Sequence, residues 1–325
     1  MKVVKAGMLD LFQDKGRFGY AQFGVAPGGC MDWYAGRLAN LLAGNPEGEA
    51  VLEMHFPAPT LEFIAPVFIA LAGADFGARV GGIPIPTNRR VLLPAGSTLG
   101  FVKKGWGQRC YLAVKGGWQL GQVMGSFSTH LKAGFGGYAG RALKAGDFVH
   151  LKGNIVQHHE ITMASLSKWF VPQENWYHAG KIRAMKGPEW EWLTEAGRHI
   201  LENGHFTIHR HSDRMGYQLQ GLKLKRKVTT ELLSSAVLPG TIQLLPNGQP
   251  LILMADCQTT GGYPRVMQVI EADMPVLAQK GPGDTIGFEL VSRDMAIDLR
   301  KGRFKGLGIV QSSVGFANPN PMDLI

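Results

Sequence analysis

The sequence predicts a mainly β protein of two domains, and three observations predict it. Short apolar runs recur at even spacing along both halves, each closed off by Gly or Pro. The 44 glycines and 18 prolines favour turn-rich barrels or sandwiches over a parallel α/β sheet. A chain of 325 residues is long enough to bury two separate cores.

The elements follow in order. "MDWYAGRLANLLAGN" reads as a helix: Asp32 caps its start, Ala35, Leu38, Ala39 and Leu42 form its apolar stripe, and Gly44-Asn45 end it. "TLEFIA", "VFIALAG", "RVLLPAG", "TLGFVK" and "CYLAVKGG" read as first-half strands. The polar stretch 153–181, with "NIVQHHE" and "PQENWYHAG", reads as a connector between an N-terminal β-rich domain (1–152) and a C-terminal β-barrel domain (182–325). In "GPEWEWLTEAGRHILENG" a second helix is expected from Pro188 onward, with Glu189 and Glu191 at its positive end and Asn203-Gly204 closing it. "FTIHR", "TIQLL", "LILMA", "RVMQVI" and "TIGFELV" supply the later strands.

Composition narrows the class. With 45% hydrophobic and 18% charged residues, the balance is that of a soluble globular protein. No apolar run reaches 18 residues, so no membrane span is expected. Asp10 and Asp14 interrupt any secretory apolar core, and the odd, scattered set Cys30, Cys110 and Cys257 suits reduced thiols; a cytoplasmic location is expected. The net charge is +9, with 15 Lys+Arg against 9 Asp+Glu in residues 1–150. The knot "KLKRK" at Lys223–Lys227 alternates with leucines as a half-solvated strand would. No finger spacing or aromatic-interleaved basic module accompanies it, so nucleic acid is not an expected partner.

Several motifs lack their structural context. "RAMKG" at Arg183–Gly187 resembles a biotin-carrier core, yet Gly187 stands where a second Met belongs, and covalent biotin on Lys186 is not expected. Seven of the ten histidines lie between residues 158 and 211, and a strand would put His205, His209 and His211 on one face. No carboxylate or cysteine completes a set, so no metal is expected there. "GFGGYAG" at 134–140 has neither the preceding strand nor the following helix of a dinucleotide fingerprint, and "SLSK" at Ser165–Lys168 has no companion motif.

Three polar loops carry more. "LFQDKGRFGY" sets Gln13, Asp14 and Arg17 beside glycines, and "MGSFSTHLKAG" crowds Ser126, Ser128 and Thr129 where a helix N-terminus would favour an anion. "HSDRMGYQLQG" and "MADCQTTGGYPRV" bring Arg214 and Asp256 with glycines that let backbone approach a ligand closely. The plain alternative is a set of turns with self-capping side chains.

These stretches, with "QDKGRFGYAQFGVAPGGCMDWYAGRLANLLAGN", "LEMHFPAPTLEF", "ALAGADFGA", "YLAVKGGW", "GRALKAGD", "LPGTIQLLPNGQPLILMADCQTTGGYPRV" and "AQKGPGDTIGF", resemble the KipA-like family in order along nearly the whole chain. Its members are known as the C subunit of 5-oxoprolinase, the second subunit of allophanate hydrolase, and biotin-dependent carboxyltransferase proteins. Cys30 stands where the family usually has Ala, and the stretch from about Asn154 to Lys181 matches no placed pattern.

The resemblance implies barrel domains related to the cyclophilin-like fold. It implies two partners, one KipI-like and one LamB/YcsF-like. The reaction implied is hydrolysis of 5-oxoproline to glutamate, with ATP used by the complex on a chain the sequence does not identify. The family offers two other roles: a carboxyltransferase component acting on urea or another amide with a separate biotin carrier, and a regulatory protein that antagonises a KipI-like kinase inhibitor. Phosphorylating the lactam oxygen would create a leaving group, and such chemistry needs donors for an oxyanion and a carboxylate to orient water. Residue chemistry assigns Arg214 to an anionic group and Asp256 to the orienting or base role. Gln258, Thr260 and Tyr263 would hydrogen-bond substrate, with Gln243, Gly261 and Gly262 completing that wall. Asp14, Arg17, Ser126, Ser128 and Thr129 would line the facing side.

Overall fold

The computed structural model describes residues 1–152 and 162–316. It is mainly β, and all ten strand readings coincide with strands. Two compact units emerge, and they are not successive stretches of chain: one comprises 1–16, 32–174 and the residues from 304 on, the other 17–31 and 175–303. Of the expected connector, residues 153–161 lie outside the described residues. The part that follows is not irregular throughout, because Ser165–Phe170 pairs antiparallel with Arg89–Leu93.

The first unit holds two antiparallel sheets. The six-stranded sheet runs in the order Ser165–Phe170, Arg89–Leu93, Val67–Asp75, Trp106–Val114, Val51–Met54, Asp10–Gln13. The five-stranded sheet runs Lys2–Lys5, Thr60–Phe63, Ser97–Phe101, Ala78–Val80, Ile83–Pro84. One core draws on both, with Val3, Leu61 and Leu99 from the smaller sheet and Leu52, Leu71 and Leu112 from the larger. The helix α1, Trp33–Ala43, packs on the larger sheet. It starts and stops as expected: the Asp32 carboxylate accepts from the Ala35 N–H at 2.8 Å, and Gly44 takes the left-handed conformation at φ 82°.

In the second unit seven strands close into a barrel, in the order Lys181–Lys186, Arg265–Val269, Thr241–Leu244, Pro250–Leu253, Gly216–Gln220, Phe206–Ile208, Thr285–Leu290. Lys181–Lys186 and Thr285–Leu290 pair in parallel; the others pair antiparallel. "RAMKG" is therefore barrel strand, with Arg183 bound to Asp273 at 2.5 Å. The helix α2, Glu195–Asn203, begins later than expected. Trp190 and Leu193 are drawn into the barrel core, so Glu189 to Leu193 forms a short 3-10 turn, and the Thr194 hydroxyl caps the helix by accepting from the Gly197 N–H.

Three expectations need correction. Lys223–Lys227 forms no strand, only an isolated bridge from Arg226 to Leu193; Leu224 is buried but Leu222 is exposed, so the alternation reflects a loop pinned at one residue. "MGSFSTHLKAG" leads into turns rather than a helix. His209 and His211 meet edge to face beyond a three-residue strand, and among the described residues no three His, Cys, Asp or Glu side chains cluster to hold a metal ion. Two helices went unforeseen: α3, Met274–Ala278, and α4, Arg293–Phe316. Gly302, Gly306 and Gly308 within the latter read as breakers in sequence. No helix among the described residues is long and apolar enough to cross a membrane.

Asp10 starts a strand of the larger sheet and is 1% exposed. Its Oδ2 accepts from the Gly7 N–H at 2.6 Å, while Oδ1 has no partner among the described residues. Burial pushes its carboxyl up to about 7, against the lowering effect of the Gly7 hydrogen bond. The folded protein thus keeps this proton where the unfolded chain, titrating near its ordinary value of about 4, has lost it. Stability that the group contributes below about pH 4 is lost progressively as pH rises through about 7, by roughly 4 kcal/mol in total. Asp10→Asn is expected to flatten that limb in urea denaturations at pH 4.5, 6 and 7.5. An unchanged slope would exonerate Asp10.

Candidate functional site

The predicted residues fall into two groups, one in each unit. In the first unit Asp14 is a hub. Its Oδ1 accepts from the Ser126 and Ser128 hydroxyls, both at 2.6 Å, and from the Gly16 N–H at 2.8 Å; its Oδ2 accepts from the Phe127 N–H at 2.7 Å. The Asp14 N–H donates in return to Ser128 Oγ, and Thr129 Oγ1 donates to the Phe12 carbonyl at 3.0 Å. Gly137 allows this packing, because a Cβ there would stand 1.9 Å from Thr129 Oγ1 and its φ is +54°. Ser126, Ser128 and Thr129 are fully buried, and the hydrogen bonds tie these loops to one another.

The second group belongs to the barrel unit and includes Arg17. Segment 17–31 folds on itself through Arg17 N–H donating to the Pro27 carbonyl, and it joins the barrel through Gly28 N–H to the Ala255 carbonyl and through Met31 in the core. Arg214, 4% exposed, forks onto Asp256 with Nε–Oδ2 at 2.8 Å and Nη2–Oδ1 at 3.0 Å, and Nη2 also reaches the Gly29 carbonyl at 2.7 Å. One guanidinium thereby holds three segments. Around it, the turn reading of "HSDRMGYQ" is correct, since Asp213 Oδ1 caps the Met215 N–H.

Beside this clamp lies a cavity of about 220 Å³. Arg17, Phe18 and Gly28 form one wall, Val237 and Leu238 another, and Gln258 with Thr259 a third. Cys257 also faces it, but burial and then the charge of Asp256 push its thiol up to about 12, so it stays protonated and inert as a nucleophile.

"MADCQTTGGYPRV" is more than a hairpin turn. Thr260–Gly261 pairs with Ser235–Ala236 as a separate two-stranded ribbon, with Val237 N–H donating to the Thr259 carbonyl at 3.0 Å. Gly261 and Gly262 owe their identity to close approach, not to positive φ. A Cβ on Gly261 would stand 2.5 Å from Gln243 Nε2, and one on Gly262 would stand 3.1 Å from the Leu232 carbonyl. Gln258, Thr260 and Tyr263 are exposed, Tyr263 at 43%. Gln243 is completely buried. Sequence reasoning missed the cavity residues Val237 and Leu238, which sit in a polar-to-apolar stretch with no motif, and missed Phe18, whose signal was a large apolar residue beside Gly19.

The model of the carboxyltransferase domain, subdomain A and B, matches residues 23–290. The chain is 40% identical to the 5-oxoprolinase C subunit of Escherichia coli (strain K12) over 93% of its own length and 94% of that protein's. It is 37% identical to the corresponding 5-oxoprolinase C subunit of Haemophilus influenzae, over 89% and 90% of the two lengths. The solved urea amidolyase of K. lactis superposes with a TM-score of 0.85 at 28% identity; the match covers 95% of this chain and only 20% of that one. By sequence and by fold, the chain belongs to the family of carboxyltransferase domains with subdomains A and B.

Proposed function

We propose that this chain is the C subunit of a 5-oxoprolinase, an amide (lactam) hydrolase active in a complex with KipI-like and LamB/YcsF-like subunits. The observation that carries the reading is the end-to-end similarity to the E. coli 5-oxoprolinase C subunit, which spans 93% of one chain and 94% of the other. The cavity agrees in scale. About 220 Å³ lies below the range of roughly 300–1,000 Å³ typical of drug-sized ligands, which suits a five-membered lactam and is too small for a nucleoside triphosphate. In this proposal the cavity holds the lactam and not ATP, and the residues here bind and orient the lactam.

Their roles follow from what each touches. Arg17 gives the cavity wall a cation for the carboxylate of oxoproline, and Gln258 and Thr259 supply polar atoms beside it. Arg214 and Asp256 occupy one another, so they act as positioning residues that fix the Gly29 and Cys257 sides of the cavity. The likeness to urea amidolyase supports a second reading, a component that carries a carboxyl group to urea from a biotinylated carrier.

Purifying the chain with and without its KipI-like and LamB/YcsF-like partners and measuring 5-oxoproline-dependent release of phosphate and glutamate tests the proposal. Turnover is expected only from the full complex. A complex inert to oxoproline that carboxylates urea when a carrier bearing carboxybiotin is supplied, leaving biotin on the carrier, would establish the second reading instead.

The clamp yields a separate expectation. Arg214→Met or Asp256→Leu alone leaves a buried charge without its partner, and each is expected to cost about 3–5 kcal/mol in urea denaturation. The double variant is expected to cost clearly less than the two together. Strict additivity would show that the pair does not act as a unit.

A further inference from the structure

Gln243 lies on a barrel strand between Ile242 and Leu244, both of which enter the barrel core. The strand's alternation puts its side chain on the outer face. There it pairs in register on one side with Leu251, which packs on a small apolar cluster of Val237, Leu253 and Cys257, and on the other with Arg265, whose guanidinium is bound to Glu189 and to the Ala236 carbonyl. In these surroundings Gln243 Nε2 and Oε1 both lack a hydrogen-bond partner among the described residues. Such a group is rare in a folded protein, because an unpaired buried amide is costly. A third atom shares the condition. Ser235 Oγ is buried and unpartnered among the described residues, and Ser235 is the register partner of Gly261, the residue lying directly against Gln243 Nε2. Val237 and Cys257 belong at once to the apolar cluster and to the cavity wall, so the two sites are contiguous.

We propose that Gln243, with Ser235, is the subsite that reads the amide edge of the substrate, under a cover formed by the ribbon Ser235–Ala236 and Thr260–Gly261. A carboxamide presents one donor and one acceptor side by side. Its complement is a group with a carbonyl and an N–H on the same edge, as in a lactam, where the ring holds the amide cis, or in urea. Gln243 Nε2 donates to that carbonyl, Oε1 accepts from that N–H, and Ser235 Oγ adds a hydrogen bond at the carbonyl. Esters, trans amides and N-alkylated lactams leave one of these atoms unpaired. The cover is two residues per strand, and Arg265 Nη1 ties it to the barrel by donating to the Ala236 carbonyl at 3.3 Å, so admitting the group requires that bond to open. The choice of a lactam as the natural ligand rests on the function proposed above; recognition of the cis-amide edge does not.

The experiment has two arms. In the first, the full-length chain is titrated with 2-pyrrolidinone, N-methyl-2-pyrrolidinone and urea while the backbone amides of residue 243 and of the ribbon Ser235–Ala236 and Thr260–Gly261, present in the protein and its variant alike, are followed by NMR. Shifts are expected with 2-pyrrolidinone or urea, at least about tenfold weaker with the N-methyl compound, and abolished by Gln243→Leu. Gln243→Leu is also expected to raise the thermal midpoint, because it removes an unpaired buried amide while keeping the volume. In the second arm, the assembled complex carrying Gln243→Leu or Ser235→Ala is assayed with 5-oxoproline. KM is expected to rise roughly 10- to 100-fold for the first variant and several-fold for the second, with kcat changing less. An oxoproline-active complex whose KM ignores Gln243→Leu overturns the subsite and leaves the proposed function standing. A complex inert to oxoproline, with Gln243-dependent binding of 2-pyrrolidinone or urea, overturns the function and leaves the subsite. A lower thermal midpoint with binding unchanged would make Gln243 a structural residue and overturn the proposal.

Discussion

One buried guanidinium organises the barrel unit's polar face. Arg214 brings the Gly29 carbonyl and the Asp256 carboxylate to a single point, and the residues next to these, Gly28 and Cys257, are cavity walls. Segment 17–31 is held besides by Met31 in the core, the Gly28–Ala255 hydrogen bond, and its own Arg17–Pro27 closure. A short loop of this kind lacks the buried area to order itself. A charge-assisted fork with low exposure on both sides can do so, provided that neither partner is removed. The clamp thus fixes two walls of a cavity whose lining is otherwise mostly apolar.

The Asp14 hub shows what a polar cluster looks like when its hydrogen bonds are made internally. Both carboxylate oxygens accept, both serine hydroxyls donate, and the backbone amides around them point inward. Gln243 is the opposite case, more deeply buried and with neither amide atom hydrogen-bonded among the described residues. The difference separates polar residues that hold a fold together from those whose hydrogen bonds the described residues leave unmade. Type and position in the sequence do not make that distinction. Asp14 and Gln243 both interrupt apolar runs, and only their partners tell them apart.

What the sequence made legible follows the same line. Strands were readable because short apolar runs closed off by Gly or Pro are local signals, and helix α1 because Asp32 and Gly44 carry their capping chemistry with them; the one reading that rested on alternation, Lys223–Lys227, is a loop. The start of α2 was not, since the burial of Trp190 and Leu193 is decided by strands far along the chain. The helix α4 was hidden by glycines that only a tertiary setting tolerates; Phe304 within it stacks on Trp33 at 5.1 Å. At the site, Gly261 and Gly262 were readable as points of close approach. What approaches, the Gln243 side chain and the Leu232 carbonyl, was not.

The contrast between Gln243 and Gln258 shows why burial matters for recognition. Gln258 is exposed, so any hydrogen bond it makes to a ligand replaces one to water and requires its side chain to be ordered. Gln243 has already lost that freedom, held on a barrel strand under a ribbon whose glycine touches its amide. Its amide stands between an apolar cluster and Arg265, whose guanidinium is taken up by Glu189 and the Ala236 carbonyl. A ligand with the matching edge gains nearly the full interaction, and one without it leaves the same amide unpaired while displacing the cover. Selectivity then comes from the difference between these two states, and it needs no charge at the point of contact. A neutral amide is distinguished from an ester of the same shape by a residue that the folded protein alone leaves unsatisfied.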